Sequence, residues 1–409
     1  MQILFPVTQQ DRTWQELMDM LKKRPALQAF DPLVVEFIHR LSKRILLDRG
    51  FRGYAELMAM AHWMRRANIE QLKRDYRKKR KERIWQPKGV ALHFAPSNVD
   101  TIFMYSWFLS MLVGNKNVIR LSGRRDEQVD MLIGLIEEIA GESEFKTIAE
   151  RTLIVSYEHD AAKTAALSGY CDIRVIWGGD ETIRSIRQSP LPPRATELVF
   201  ANRFSLSAIR TSSLDKLKEE QWKQLAADFY NDAYWFNQMA CSSPRLLVWI
   251  GQHEKEKELK QKFWEELSKV IRQKGIRWEA AVGINRLVEG YSYAAKGIVD
   301  RLSTRYTGHP YRANIGQYSD EIKSVDCGGG FFFELVLEEI GQIVDIISKQ
   351  DQTLTVHGFE SEELRTLAWN LTDKGIDRIV TIGQALHFSE VWDGYDFFVH
   401  FTREISLRC

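Results

Sequence analysis

The sequence predicts an α/β protein in which parallel sheets are covered on their faces by helices. Two observations lead to this prediction. From residue 88 onward, short runs rich in Val, Ile and Leu alternate with segments of helical periodicity, and this alternation is typical of a parallel sheet. In addition, the chain of 409 residues is long enough for two or three domains with large cores.

The chain begins with a section of about 85 residues that we predict to be helical. Residues 33–47 and 54–69 both repeat apolar side chains at helical spacing. The basic run Lys73–Arg83 closes this section. Because the run has few aromatic side chains that would stack on bases, a solvated helix face is favoured over a nucleic-acid site. Such a face would also lend positive potential to a phosphate-bearing ligand.

A first α/β domain follows as strand–helix pairs and ends in two more strand candidates within residues 197–210. We predict that this domain and the N-terminal helices occupy residues 1–215. A second α/β domain, carrying Cys241, is predicted over residues 216–375, and residues 376–409 are expected to return to the first domain or to a dimer interface. The predicted strands of the first domain are 89–96, 117–122, 152–157 and 171–177, and the helices after them are 101–113, 127–140, 161–168 and 180–188.

Composition and charge exclude several classes of protein. Hydrophobic residues make up 44% of the chain and charged residues 27%, as in ordinary globular domains. The formal net charge of +2 indicates neither a nucleic-acid nor a membrane partner. The four cysteines lie far apart, without metal or redox spacing, which predicts free thiols, no metal site and a reducing compartment. Because no leader-like start and no apolar run of about 20 residues is present, we expect a cytoplasmic protein without a membrane span.

Cys241 is the cysteine whose surroundings in the sequence suggest chemistry. It lies where a long helix gives way to a strand rich in Leu, Val and Trp, and Arg245 follows shortly after it. A nearby cation favours the thiolate, which is the nucleophilic form of cysteine. A free cysteine is more often an inert core residue, and that alternative stays open at this point.

Strand-to-helix turns carry the other candidates, because ligands of α/β sheets bind at such turns. The first turn contains Pro96 and Asn98. The Asn98 amide can donate a hydrogen bond to a developing oxyanion, or it can cap the following helix.

Two further turns have the character of phosphate sites. Arg120, Ser122 and Arg124 follow one strand, at a position where NAD sites usually have an acidic residue, so that NADP is favoured unless the turn is a solvated loop. Gly178 and Gly179 follow another strand and would let backbone approach a pyrophosphate at a helix N-terminus. The GxGxxG fingerprint is absent, and the two acidic residues after these glycines also fit a plain helix start.

The order of these features resembles the aldehyde dehydrogenase superfamily. Within it, the chain is most similar to the bacterial fatty-acyl-CoA reductases of the Lux type, which supply aldehyde to luciferase. The similarity runs from residue 54 to the C-terminus. The phrases that carry it are ELMAMAHWMRRANI, HFAPSNVDT, WGGDETIRSI, NQMACSSPR and GIDRIVTIGQALHFSEVWDGYDFFVHFTREI.

The resemblance implies two Rossmann-like domains and an activity, the NADPH-dependent reduction of an acyl thioester to an aldehyde through an acyl-cysteine. Cys241 would be the nucleophile, and the Asn98 amide with the Cys241 backbone N–H would be the oxyanion donors. The implied cofactor-binding residues are Pro96, Arg120, Ser122, Arg124, Gly178 and Gly179.

One departure from the superfamily concerns its glutamate base. Glu197 is the available acid, but alignment of Arg203 with the superfamily's lysine places Val199 at the glutamate position. Loss of a base that activates water favours reduction over hydrolysis of the acyl-enzyme.

The resemblance also implies partners. The acyl donor would be acyl-CoA or an acylated partner protein of the acyl-protein synthetase kind, and the chain would form a homo-oligomer through its C-terminal strand. The alternative function is a non-catalytic scaffold of the same fold that binds such a synthetase.

Overall fold

The computed structural model of the protein describes residues 1–6, 12–96, 102–123, 127–251, 254–276, 278, 280–304 and 308–408. The chain divides into two compact units. Unit 1 comprises Met1–Asn202 with Phe388–Cys409, and unit 2 comprises Arg203–His387.

Unit 1 contains a six-stranded sheet with helices before and between its strands. The strands of its N-terminal part are β1 (Gln2–Phe5), β2 (Ile84–Pro87), β3 (Val90–Phe94), β4 (Lys116–Leu121), β5 (Thr152–Ser156), β6 (Ile173–Trp177) and β7 (Thr196–Phe200). The helices are α1 (Trp14–Lys23), α2 (Pro32–Leu47), α3 (Ala55–Trp63), α4 (Arg66–Arg80), α5 (Ile102–Leu112), α6 (Glu127–Ala140), α7 (Lys146–Ala149), α8 (Ala161–Ser168) and α9 (Asp180–Arg187).

The strand order of this sheet defines a ligand-binding edge. The order is β1-β5-β4-β3-β6-β7, in which β3 to β7 are parallel and β1 is antiparallel to β5. The chain builds outward from β3 on one side and then crosses to β6 on the other. The carboxyl ends of β3 and β6 therefore flank a topological switch point, where open α/β sheets bind ligands.

The N-terminal section was predicted to be entirely helical, and this was wrong at two places. β1 extends the sheet along β5, and β2 forms a separate ribbon. The predicted helix 54–69 is also two helices, α3 and α4. The side chain of Asn68 donates a hydrogen bond to the Trp63 carbonyl over 2.8 Å, which satisfies a carbonyl at the break.

Unit 2 contains a seven-stranded sheet of the same general kind. Its strands are β8 (Phe204–Arg210), β9 (Leu246–Ile250), β10 (Arg301–Ser303), β11 (Tyr311–Asn314), β12 (Phe331–Leu337), β13 (Asp351–His357) and β14 (Arg378–Thr381). Its helices are α10 (Thr211–Leu214), α11 (Glu219–Tyr234), α12 (Glu256–Lys274), α13 (Ala280–Ala295), α14 (Ile343–Ile346) and α15 (Ser361–Asn370). The order is β10-β11-β12-β9-β8-β13-β14, and all pairs except β10 with β11 are parallel.

The C-terminal segment packs within unit 1. It consists of β15 (Val391–Trp392), β16 (Tyr395–Asp396), α16 (Phe397–His400) and β17 (Thr402–Ile405). β17 pairs antiparallel with β2, and the ring of Phe397 stacks 5.4 Å from that of Phe200 on β7. The segment thus returns to the first unit.

The boundaries of the units differ from the predicted boundaries after residues 215 and 375. β8 pairs with β9 and β13, so it belongs to unit 2, although the sequence analysis placed residues 197–210 in the first domain. β14 pairs with β13 and also stays in unit 2. The reason is that Ala201–Arg203 separates β7 from β8, and a short break of this kind carries no composition signal of a domain boundary.

Among the helices of the described ranges, we find none with the length and apolar character that crossing a membrane requires.

Candidate active site

Cys241 follows a turn of unusual backbone conformation. After α11 the chain forms a short 3₁₀ turn, Trp235–Gln238, in which Phe236, Asn237 and Gln238 have φ angles of 48°, 52° and 65°. For residues other than glycine, a positive φ in this region costs about 1 kcal/mol or more per residue. Strain of this kind persists only where surrounding contacts hold it, and it is often found at functional sites.

The side chain of Gln238 provides such contacts. Its Nε2 donates hydrogen bonds to the Pro244 and Phe331 carbonyls over 2.9 and 2.8 Å. Its Oε1 accepts from the Gly330 and Phe331 backbone N–H groups over 2.9 and 3.0 Å. Gln238 is fully buried. Three of its bonds fix the turn to the start of β12, and the bond to Pro244 fixes it to the segment before β9.

The glycines before β12 allow the close approach of that segment to the turn. The N–H of Gly329 donates to the Asn237 carbonyl over 2.9 Å. A Cβ at Gly328 would overlap the Asn237 carbonyl, and one at Gly330 would overlap the Tyr234 hydroxyl. Packing against the turn and the end of α11 therefore explains the glycines at 328 and 330, whereas a Cβ at Gly329 would overlap the Val282 side chain of α13.

Burial separates Cys241 from the other described cysteines. Cys171 and Cys327 are buried, whereas Cys241 is partly exposed. Burial raises the pKa of both the Cys171 and Cys327 thiols to about 12, so they stay protonated at neutral pH. Among these three described cysteines, Cys241 alone combines access with the surroundings of a nucleophile.

Cys241 is contacted by residues from distant strands. Gln352 Nε2 donates a hydrogen bond to the Cys241 sulfur over 3.3 Å, and the Ser205 hydroxyl donates to the Cys241 carbonyl over 2.7 Å. The sequence analysis missed both, because each lies far from Cys241 along the chain.

Arg245 was singled out from the sequence, and it lies within electrostatic range of Cys241. Burial lowers the pKa of its guanidinium, an effect that Cys327, Asp326, Tyr293 and Cys241 oppose. The guanidinium also donates to the Val325 carbonyl. A cation held in this way favours a thiolate at Cys241.

In unit 1, the predicted cofactor residues lie along one edge of the sheet. Pro96 follows β3, Arg120 and Ser122 lie at the end of β4, and Gly178 and Gly179 follow β6. Since these strands are parallel, their carboxyl ends meet at the same edge. Gly179 is the N-cap of α9, and a Cβ at Gly178 would come within 3.2 Å of the Thr182 side chain.

Arg120 has a partly satisfied guanidinium. Its Nη2 donates to the Tyr157 carbonyl over 2.8 Å, and its Cζ lies 4.8 Å from the centre of the Tyr157 ring. Its buried Nε has no hydrogen-bond partner within the described part of the chain. Burial lowers the pKa of Arg120, and the nearby Glu158 opposes this effect.

A family model described as acyl-CoA reductase (LuxC) matches residues 54–404. The chain belongs to the acyl-CoA reductase (LuxC) family. This confirms the resemblance found in the sequence. A long-chain acyl-protein thioester reductase of Aliivibrio fischeri is 25% identical over 171 residues, which cover 41% of this chain and 33% of that relative. The match thus spans about a third of the relative's length.

Solved structures show which fold this LuxC-family chain adopts. It is similar to a lactaldehyde dehydrogenase, with a TM-score of 0.66 and 10% identity, covering 96% of this chain and 90% of the other. It is also similar to betaine aldehyde dehydrogenase of Staphylococcus aureus crystallised with NAD⁺, with a TM-score of 0.63, 13% identity and coverage of 97% and 82%. The predicted aldehyde dehydrogenase-like fold, with two Rossmann-like units, is confirmed.

The remaining predicted residues of the LuxC-family chain either lie outside the described ranges or pair with other side chains. Asn98 and Arg124 lie outside the described residues. Glu197 on β7 accepts hydrogen bonds from Arg174 Nε over 2.8 Å and from Arg187 Nε over 2.7 Å. It is therefore committed to a structural ion-pair network in unit 1.

Proposed function

We propose that this protein reduces an acyl thioester to an aldehyde with NADPH, through a covalent acyl-Cys241 intermediate. The observation that carries the proposal is the partly exposed Cys241 thiol, which accepts a hydrogen bond from an amide and lies within electrostatic range of the partly buried Arg245 guanidinium. Membership of the LuxC family supports the reaction. Similarity to the long-chain acyl-protein thioester reductase of Aliivibrio fischeri supports a long-chain acyl group carried by protein, and the acyl-CoA reductase family supports CoA as the other carrier.

Unit 1 offers residues that fit a nicotinamide dinucleotide. The two glycines at the start of α9 would let backbone approach a pyrophosphate at a helix N-terminus, where the N-cap residue Gly179 makes no side-chain capping hydrogen bond. Pro96 and Ser122 lie along the same edge. The Nε of Arg120 has no hydrogen-bond partner among the described residues, and it fits an anionic or hydroxyl group. We propose that these residues, together with Arg124, hold the cofactor.

Two features bear on the choice between NADPH and NADH. Arg120 at the end of β4 suits a 2′-phosphate, because a guanidinium pairs well with phosphate oxygens. Glu158, after β5, lies against Gly123 and was not expected from the sequence. A carboxylate there would suit a ribose hydroxyl, so the arginine pair carries the preference for NADPH in this proposal.

Cys241 would act first as nucleophile and later as leaving group. Its sulfur attacks the carbonyl carbon of the thioester, the donor's C–S bond breaks, and the donor leaves as a thiol after taking up a proton. A nicotinamide cofactor held by unit 1 would supply the hydride that reduces the acyl carbon. Cys241 then departs with the electron pair of its C–S bond as the aldehyde is released. We propose that the Asn98 amide and the Cys241 N–H stabilise the carbonyl oxygen.

The engagement of Glu197 supports reduction over hydrolysis. An acyl-enzyme is hydrolysed when a nearby base activates water. Glu197 pairs with Arg174 and Arg187, and Val199 occupies the position that the resemblance assigns to the base. An acyl-Cys241 without such a base would persist until it is reduced.

The acylation step gives the direct test. The whole protein is incubated with radiolabelled long-chain acyl-CoA, and we expect a protein-bound label that hydroxylamine releases. The label should be absent in Cys241→Ala and retained in the control Cys171→Ala. Label retained in Cys241→Ala contradicts the proposal. If NADPH is not consumed with any acyl-CoA or acyl-protein donor, the scaffold alternative replaces the enzyme.

We also propose a homo-oligomer formed through the C-terminal strand. In the described part of the chain β17 pairs with one strand, β2, and Ile405 and Leu407 are 37% and 71% exposed. Apolar side chains beside an open strand edge favour pairing with a second chain. Sedimentation of the whole protein tests this, and a monomer at micromolar concentration would contradict it.

A further inference from the structure

An irregularity in β13 lies beside the proposed nucleophile. In the pairing of β13 with β8, Asp351 is opposite Phe204 and Leu354 is opposite Leu206, with a register shift between them. Gln352 and Thr353 therefore share the single opposing residue Ser205. This is the pattern of a β-bulge, which changes the direction of a side chain and is frequent near active sites.

Ser205 connects the bulge to Cys241. Its hydroxyl oxygen accepts from the Thr353 N–H over 3.2 Å and donates to the Cys241 carbonyl over 2.7 Å. The Ser205 carbonyl accepts from the Arg245 N–H over 2.9 Å. The bulge, the cysteine and the start of β9 are therefore joined through one residue, which fixes the Cys241 backbone relative to Gln352.

Gln352 reaches the sulfur itself. The residue has no solvent-exposed surface, and its Nε2 lies 3.3 Å from the Cys241 sulfur. An amide N–H can only donate, and a negatively charged sulfur is a much better acceptor than a thiol. Such a bond therefore favours the thiolate. Because an amide does not ionise, it provides this stabilisation at any pH at which the enzyme works.

We propose that Gln352, aimed by the β13 bulge, is a catalytic hydrogen-bond donor to the Cys241 sulfur. It stabilises the thiolate before the sulfur attacks the thioester, and again when the C–S bond to the reduced carbon breaks and its electron pair returns to the sulfur. Ser205 is a positioning residue that holds the cysteine backbone against the bulge. This role in turnover rests on the proposed function, whereas the effect on the thiol does not.

The effect of nearby charged residues on the Cys241 thiol must be distinguished from the effect of the Gln352 amide. Arg245 interacts electrostatically with Cys241, and it interacts in the same way with Asp326, Cys327 and Tyr293. All of these remain in place when Gln352 is replaced. A change in thiol reactivity in Gln352 variants therefore reports on the group at position 352.

The test is the pH dependence of Cys241 alkylation by iodoacetamide in the whole protein, quantified by peptide mass spectrometry. Gln352→Met keeps the length of the side chain and removes the donor. We expect the midpoint, the pH at which Cys241 alkylation reaches half of its maximal rate, to rise by about one unit. Gln352→Glu places a carboxylate beside the sulfur and should raise it further. The control Gln273→Met, on the exposed face of α12, should leave it unchanged.

The outcomes distinguish the roles. A larger shift in Gln352→Glu than in Gln352→Met supports direct action on the sulfur, since a purely structural role would give equal shifts. If one variant does not fold, as judged by near-UV circular dichroism, the other still has a required direction. An unchanged midpoint in a folded variant, or a wild-type Cys241 that does not react, overturns the inference. A shifted midpoint without any aldehyde formation would refute the proposed function alone.

Discussion

At the scale of single residues, buried polar groups indicate where this protein binds or reacts. Most buried donors in folded proteins have partners. Gln238 meets this rule with four hydrogen bonds, so its role is structural. Arg120 does not, since its buried Nε has no partner among the described residues. A buried guanidinium N–H without a partner among the described residues, located at the edge of the sheet where ligands bind, is what an anion site would provide.

Replacement of Arg120 and Arg124 tests the preference for NADPH. If both arginines contact the 2′-phosphate, Arg120→Met with Arg124→Met should raise KM for NADPH by at least about tenfold and change KM for NADH much less. Steady-state kinetics with both cofactors measures this. The control Glu158→Gln should not weaken NADPH binding, because it removes a negative charge that would repel the 2′-phosphate. Equal losses with both cofactors would show that the 2′-phosphate is not the contact.

At the scale of elements, the turn before Cys241 and the glycines before β12 depend on each other. The three positive φ angles are maintained because Gly328–Gly330 approaches closely enough for hydrogen bonds from Gly329 and Gly330. Tyr234, whose hydroxyl would meet a Cβ at Gly330, is buried and stacks on Tyr230 with ring centres 5.2 Å apart. It therefore cannot move aside.

Gly330→Ala should destabilise unit 2 and reduce Cys241 reactivity. Gly330 has a φ of 81°. Gly275, at the end of α12, has a φ of 65°, and no atom of the described residues lies within 4 Å of its Cβ position. Gly275→Ala adds only backbone strain, about 1 kcal/mol. Gly330→Ala adds overlap with Tyr234, and we expect a loss of at least about 3 kcal/mol in the free energy of unfolding. Urea denaturation measures both, and equal losses would mean that the contact is not rigid.

At the scale of the whole molecule, unit 1 contains a buried base and unit 2 contains a buried acid. In unit 1, burial lowers the pKa of His93 to about 4, and its ring lies between Ser106 and Asn117 at 3.0 and 3.1 Å. In unit 2, burial raises the pKa of Asp232 to about 7, although the Gly383 and Ala385 N–H groups oppose this. Each group stabilises its unit in its neutral form.

The units should therefore respond to pH in opposite directions. The contribution of His93 to the free energy of unfolding is fully present above its unfolded pKa of 6.5. As pH falls towards 4, unit 1 should lose about 3 kcal/mol of this free energy. The contribution of Asp232 to the free energy of unfolding is fully present below its unfolded pKa of 3.8. As pH rises through 7, unit 2 should lose up to about 4 kcal/mol of this free energy. Native-state hydrogen exchange resolves the units by peptide. His93→Gln and Asp232→Asn should each flatten the slope of its own unit only, and unchanged slopes would contradict these assignments.

The sequence by itself determined the class of fold and the family. Alternating apolar strands and helices predicted β3 to β6 and the helices after them, because burial on both faces requires continuous apolar runs. It also singled out Cys241, Arg120 and the glycines of the β6–α9 turn, since turn residues are local in sequence. The helical reading of the first section failed at β1, because its four residues have no period to read and gain strand structure only by pairing with β5.

Only the tertiary structure decided what surrounds the cysteine. Gln352 and Ser205 reach Cys241 through pairing of β8 with β13, and register across a sheet is fixed by packing between distant segments. The bulge that aims Gln352 has no local sequence signal, and the partner of Glu197 became visible only once β6 and β7 were adjacent. Local patterns report secondary structure and turns, whereas contacts between residues far apart in the chain exist only after the fold has formed.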